Sequence, residues 1–342
     1  MKKRPKTKGK SKRQRRALKL GSLLIVINAI WGALGVWYVH HPRQWLASHN
    51  SSLPSFITTP LLWIGNPLGD LTDALDITGH DAVYEYDTEA PSGSVDFAGY
   101  PKRVGEPAPN DIVIINRGEF TIGWSDKLMH PLWVAYHLQP QARFKYNEKR
   151  PNFSKDRSLS RCPAPGDYAK SGYDRGHMAP NYAILTRYGS EAQKLTFQMS
   201  NIAPQSPSLN RGVWRDVEHR IAEYWTAKYG EIWVVVGCIP SVSGLRLGDG
   251  VDIPDSYYQI VIAQQGMDVR AVAMLFNQKI PYSAYPSASI ISISELEEKT
   301  GLNFNPELPS FIQTPLEAEV PSRLWPIRLQ DALSFVFRRF YQ

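Results

Sequence analysis

Cysteine is nearly absent: Cys162 and Cys238 are the only two in 342 residues. So few thiols exclude a disulfide framework, and neither lies in a CxxC pair or in a His/Cys cluster with zinc-ligand spacing. The two either pair after export or stay as thiols, and both outcomes remain open from sequence alone. There is no internal repeat, and the composition is neither collagen-like nor that of a wholly disordered chain. Residues 1–20 contain no acid but hold eleven Lys and Arg. The formal net charge of +7 is therefore a property of that tail, since residues 21–342 carry 28 basic against 32 acidic side chains, a net of −4. A body of that sign cannot draw in a polyanion by overall charge, so any nucleic-acid partner has to be gripped in a local groove.

A long apolar run comes directly after the tail. Residues 21–39 (GSLLIVINAIWGALGVWYV) carry no charge, and as a helix they span about 28 Å, close to a bilayer's hydrocarbon thickness. The reading is one transmembrane helix, with Trp31, Trp37 and Tyr38 towards its C-terminal interface. Eleven positive charges before it keep the N-terminus cytoplasmic and send the body out, to the periplasm or the extracellular space. The competing readings are a cleaved signal peptide, whose apolar part is usually only about 7–15 residues, and a core helix behind a basic nucleic-acid-binding arm.

Beyond a connector rich in Pro, Gly, Asp and Ser, short β-rich runs bounded by turn residues begin at Ile112: Ile112–Ile115, Trp133–Leu138, Ile232–Ile239, Tyr257–Ala263 and Arg270–Phe276. A helix is expected after Leu209, because Val213, Trp214, Val217, Ile221, Tyr224 and Trp225 recur on one face until Gly230. Its outward face would carry Arg211, Arg215, Asp216, His219 and Arg220, with His219 simply solvated and Trp214 in the core. A second helix is expected over Ser294–Thr300, with Ser294 and Glu297 as a capping box and Gly301 as its stop. The tail Leu329–Phe340 is apolar and aromatic, and either packs on the body or touches a membrane as an amphipathic helix. His130 and His137 flank an apolar strand and read as structural.

The chemistry-bearing residues lie in three ordered motifs, SGYDRGHMAPN (171–181), SNIAPQ (200–205) and LNRGVWRDVE (209–218). They bring a histidine, His177, a neutral oxygen ligand, Asn210, and an acid, Glu218, within 42 residues. These residue types fit the reaction that the family resemblance given next implies, hydrolysis of a phosphodiester, which needs an activated water, a cation on the phosphate oxygens, and donors for the growing negative charge. A neutral imidazole can take the water's proton. Magnesium accepts few protein oxygens and keeps several waters, so one amide carbonyl can suffice. Asn210 and Glu218 stand about 12 Å apart along a helix, too far for both to bind one ion directly, and a water between Glu218 and the ion is the natural bridge.

With these motifs the sequence resembles the DNA/RNA non-specific endonucleases, the endonuclease G-like, ββα-metal group. The likeness extends through WVAYHL, IPDSYYQIVI, AMLFNQKIP and ELEEKTGLNF, and covers about residues 95–310. It implies an α+β fold with a mostly antiparallel central sheet flanked by helices, and DNA and RNA as substrates cut to leave 5′-phosphates. It implies His177 as general base, Asn210 as direct ligand of Mg²⁺ (Mn²⁺ or another divalent cation being the alternative), and Glu218 as its helper through water. Arg175 would hold phosphate, as would the upstream Arg150 in KRPNFSKD, with Lys149 and Arg157 as alternatives for that place; Arg211 and Arg215 extend the groove. Asp174, taken to orient Arg175, Gly176, taken to permit a tight backbone, and Asn201 serve as structural support.

The chain is thus expected to divide into a basic tail over 1–20, an anchor over 21–39, a connector over 40–94, a nuclease body over 95–310 and a C-terminal extension over 311–342. A homodimer is open. A mitochondrial address is the alternative to export. A non-catalytic nucleic-acid-binding or scaffold protein of the cell envelope and a phosphodiesterase for another ester are the alternative functions.

Overall fold

The computed structural model describes residues 83–86, 94–105, 111–146, 149–282 and 284–328. The basic tail, the run over 21–39, most of the connector and the tail Leu329–Phe340 lie outside the described residues. Among the described residues no helix is long and apolar enough to cross a membrane.

A central antiparallel sheet organises the molecule. Its strands are β1 (Tyr84–Glu85), β2 (Val113–Asn116), β3 (Phe120–Ser125), β4 (His130–Leu138), β7 (Ile232–Ile239), β8 (Ser256–Gln265) and β9 (Asp268–Asn277), with the hairpin strands β5 (Asp174–His177) and β6 (Ile202–Gln205) standing apart from it. The spatial order is β1-β9-β8-β7-β4-β3-β2, and the two-residue strand β10 (Ile290–Ile291) adds to β9. The five expected strands all form. β4 begins earlier than its apolar run suggests, at His130, and β3 is a strand that the sequence pattern does not announce. Its partner explains its sequence: a Cβ at Gly123 would lie 2.2 Å from the Trp133 indole, so glycine in β3 makes room for a buried tryptophan on β4.

Both faces of the sheet are covered. On one, Val134, Val236, Tyr257, Val261 and Phe276 pack against Leu209, Val213, Trp214, Val217, Ile221 and Trp225 of the helix over 207–229. On the other, Trp133, Trp233, Tyr258, Ile260 and Ile262 pack against Phe97, Leu296, Phe304, Ile312 and Leu316. The packed body continues beyond residue 310: Trp325 is buried between Trp225 and Tyr229, with ring centroids at 5.4 and 5.1 Å, and its carbonyl accepts from Trp225 Nε1 at 3.0 Å.

Helices α1 (Asn181–Tyr188) and α2 (Ser190–Thr196) connect the two hairpin strands, α3 is the helix over 207–229, and α4 (Ile293–Thr300) and α5 (Ser310–Ala318) close the second face. The start of α4 differs from the expected one. Ser292, not Ser294, is the cap, accepting from the Glu295 amide at 3.1 Å. Both serines have an acid three residues on; burial of Ile293 draws it into the first turn and decides between them. Gly301 ends α4 in the left-handed region, as expected. Arg220 is a second correction. It is 1% exposed rather than on the outward face, its charge met by Asp216 at 3.3 Å, the Tyr285 hydroxyl at 3.0 Å and the Tyr285 ring beneath it. Cys162 and Cys238 are both buried and unpaired. His130 and His137 are buried, facing Asp252 and Glu231.

Candidate functional site

The site is built on the β5–β6 hairpin and the helix after it. β5 is DRGH itself, and it pairs antiparallel with β6 so that Asp174 opposes Gln205, Gly176 opposes Ala203 and His177 opposes Ile202. The role of Gly176 differs from the expected one. It is not among the positive-φ glycines; a Cβ there would lie 2.1 Å from Gln205 Oε1 and 2.6 Å from its Cγ. Glycine is needed because a buried cross-strand side chain occupies that space.

The turn from β6 into α3 is clamped by Gln278. Its Oε1 accepts from the Ser206 amide at 2.8 Å, its Nε2 donates to the Pro204 carbonyl at 2.7 Å, and its main-chain carbonyl accepts from Ser206 Oγ at 2.6 Å. Pro207 then supplies a first helical residue that needs no acceptor. Sequence reasoning assigns Gln278 no role; its only signal is its place in AMLFNQKIP. The first turns of α3 are π-helical over Asn210–Trp214, with Gly212 outside helical geometry at φ −100°, ψ −118°. Such bulges re-aim side chains locally.

Asn210 and Asp174 meet across this junction. Asn210 Nδ2 donates to Asp174 Oδ2 at 2.9 Å, and Arg211 grips the same carboxylate through Nε at 2.8 Å and Nη2 at 2.6 Å. Burial opposes ionisation of Asp174, but the bonds from Arg211 and Asn210 outweigh it and hold the carboxyl below its ordinary range. Asp174 therefore orients Asn210 and Arg211, not Arg175. Further along the helix, Glu218 Oε1 accepts from Trp214 Nε1 at 2.9 Å. Burial pushes the Glu218 carboxyl up to about 8, against the opposing effects of the Trp214 bond, Arg215 and Arg150. Trp214 is buried, as expected, but it also has this polar duty.

His177 sits in an aromatic cage. Its ring lies 4.7 Å from Phe197 and 5.4 Å from Phe153, and those two rings are 5.0 Å apart. The guanidinium of Arg175 lies over the outer side of the set, 4.7 Å from the Phe153 centroid. His177 Nε2 is buried without a hydrogen-bond partner among the described residues. Burial first, then the Arg150 charge, drive the ring's pKa down to about 3, so the imidazole is neutral near neutral pH. The segment around Phe153 is held in place by main-chain bonds of Ser154 with Phe197 and Met199 at 3.1 and 2.9 Å, and by buried Asp156, which accepts from Ser200 Oγ at 2.6 Å and pairs with Arg117. Sequence reasoning missed Phe153 and Asp156 as organisers, although both lie in RPNFSKD.

Asn201 is a brace. Fully buried, it accepts from the Ala179 amide at 2.9 Å and donates to the carbonyls of Ala179 and Thr196, both at 3.0 Å. His177, Asn210, Glu218, Arg150, Arg175 and Arg211 instead line a single cleft of about 1060 Å³, shared with Asp174, Arg215 and His219. His219 is thus at the cleft and against the Tyr224 ring at 5.1 Å. Lys149 and Arg157 do not line it, and Arg150 does. Among the described residues no group of three or more His, Cys, Asp or Glu side chains is placed to hold a metal ion. Beside the imidazoles of His177 and His219, the cleft offers amide and carboxylate oxygens from Asn210, Asp174 and Glu218, the donors that a hard cation takes.

Residues 100–311 match the family model described as DNA/RNA non-specific endonuclease. A mitochondrial nuclease EXOG of Danio rerio is 32% identical over 196 residues, covering 52% of this chain and 56% of its own length. A nuclease of Nostoc sp. is 28% identical over 225 residues, covering 61% of this chain and 79% of its own length. A mitochondrial endonuclease G of Bos taurus is 25% identical over 245 residues, covering 62% and 79%. The chain thus spans little more than half of the fish relative. In fold it is similar to the solved structure "Crystal structure of the EndoG/EndoGI complex: Mechanism of EndoG inhibition", with TM-score 0.50 and 22% identity over 57% of this chain and 86% of that one.

Proposed function

Because the chain belongs to the DNA/RNA non-specific endonuclease family, we propose that it is a metal-dependent endonuclease that hydrolyses phosphodiester bonds of DNA and RNA without sequence preference. The observation that carries this reading is the meeting of His177, Asn210 and Glu218 with Arg150 and Arg175 in one cleft. In it, His177 takes the proton of the attacking water, the imidazole being neutral and caged. Arg175, steadied on Phe153, and Arg150 hold the phosphate and meet the charge that grows on it. Arg211 extends the grip along the strand. Contacts of this kind, to phosphate and sugar, carry no base information.

The residues fit a hard divalent cation, Mg²⁺ first and Mn²⁺ as its substitute. Asp174 takes the Asn210 amide hydrogen and leaves the Asn210 carbonyl for the cation, which Glu218 would help to hold through water. When bound, the cation neutralises the non-bridging and leaving oxygens. We further assign residues 21–39 as a single-pass anchor that leaves the N-terminus cytoplasmic and exports the nuclease body. Carbonate extraction and protease accessibility of intact cells or vesicles test that topology.

The test of the enzymatic reading is nicking of supercoiled DNA and cleavage of RNA by the purified full chain, with Mg²⁺ and with chelator. Cleavage that chelator abolishes and that His177→Ala loses by about 10²–10⁴-fold with the fold intact supports it. Metal-independent cutting, or His177→Ala cutting as fast as the parent, refutes the assigned chemistry. Binding of nucleic acid without cleavage under any divalent ion would favour the non-catalytic alternative.

A further inference from the structure

The cleft holds a feature that phosphate chemistry does not use: two tyrosines on its wall. Tyr146 and Tyr182 line the same cleft as His177 and Arg150. Their rings are 5.3 Å apart and tilted by 54°, and Tyr146 is 39% exposed. Neither is loosely placed. The Tyr182 hydroxyl donates to Glu223 Oε1 at 2.6 Å, and its backbone lies within α1. The segment before Tyr146 is tied to the end of α1, with the Arg143 and Phe144 amides donating to the Thr186 carbonyl at 2.8 and 3.0 Å.

Resting on the nuclease reading, we propose that Tyr146, backed by Tyr182, is a stacking shelf for one unpaired base next to the phosphate held by Arg150 and Arg175, and that it makes single-stranded nucleic acid the preferred substrate. Tyr146 precedes Arg150 by four residues, which keeps their Cα atoms within about 14 Å of each other, and both line the one cleft. A base inside a duplex has both faces covered by its neighbours, whereas a single-stranded base is free to stack on an aromatic ring. Such stacking tolerates every base, because every base has a π-face. The shelf thus selects strandedness and leaves sequence unread.

Two measurements on the full chain test this. In chelator, where nothing is cut, fluorescence anisotropy reads binding of a fluorescein-labelled oligothymidylate about 12 residues long, within the usual single-strand site sizes, and of the same chain built from abasic residues. Tyr146→Leu should weaken the first about tenfold and the second far less, with Tyr146→Phe close to the parent. With Mg²⁺, the ratio of kcat/KM for single-stranded over duplex DNA should fall about tenfold in Tyr146→Leu and recover in Tyr146→Phe. Equal effects on the two oligomers and an unchanged ratio overturn the shelf. Because the binding arm needs no turnover, loss of cleavage in the parent would strike the nuclease reading and leave the shelf still decided by anisotropy.

Discussion

Asp174 takes a hydrogen from the Asn210 amide at 2.9 Å and is itself clasped by Arg211 through two bonds. An amide has one nitrogen and one oxygen, so fixing the nitrogen aims the oxygen. The first residue of DRGH thereby sets the posture of a residue 36 positions later, and the expected metal ligand is held before any cation arrives.

Asp174→Asn should therefore weaken the cation rather than the base. Loss of a partner that orients a metal ligand typically costs about 10–100-fold in metal affinity. The Mg²⁺ concentration for half-maximal nicking should rise by that order, with the rate at saturating Mg²⁺ much less affected. A fall in the saturated rate with an unchanged Mg²⁺ midpoint would show that Asp174 acts elsewhere.

The acid limb of activity should lie below the ordinary histidine range. A cation beside it favours the ionised form of Glu218 and brings that carboxyl down from the value of about 8 that burial gives it, which leaves the limb to His177. Burial and Arg150 lower the His177 pKa from 6.5 to about 3, and the base works only when neutral, so activity persists as pH falls through the ordinary value and is lost only nearer the depressed one. Removing the Arg150 charge raises the His177 pKa, so Arg150→Ala should move the limb upward as well as slowing the reaction. Profiles of kcat/KM from about pH 4 to 8 check both. The same shift has a cost in stability. Between the two pKa values the unfolded chain binds a proton here that the folded chain refuses, so this site's contribution to stability declines as pH drops below about 6.5.

Trp214→Phe keeps a large ring in the core but removes the donor to Glu218. A hydrogen bond to a charged or chargeable group contributes roughly 1.5–3 kcal/mol, and its loss frees the carboxylate to leave its post. Nicking should slow by about tenfold with little change in far-UV circular dichroism. Full activity would show that Glu218 needs no such tether.

Gly176→Ala tests packing beside the base. The new methyl falls 2.1 Å from the Gln205 side-chain oxygen Oε1, and Gln205 is fully buried, so the hairpin has to shift. Overpacking of this kind costs about 1–3 kcal/mol, visible as a lower urea midpoint, and a displaced His177 should lower activity beyond what the stability loss explains.

Much of this is legible in the chain. The α3 face from Val213 to Trp225 is apolar at helical spacing, and the five β-rich runs are five strands of the sheet. Where the sequence misleads, a partner distant along the chain has the last word. The apolar pattern of β3 is interrupted by Gly123 because Trp133 needs its space, and Arg220 looks solvent-facing on a helical wheel until Asp216 and Tyr285 receive it. At the site, the three ordered motifs that carry the family resemblance pick out His177, Asn210 and Glu218. Their supports stay hidden, because Gln278 and Phe153 act through geometry that only the folded chain brings together, and Asp174 speaks to Asn210 rather than to its neighbour Arg175.

The two-sided sheet has a practical corollary. The segment around Phe97 covers the face opposite the one that carries α3. A bulky label attached at Phe311, exposed on α5 of that same face, would sit behind the sheet and leave the α3 side clear.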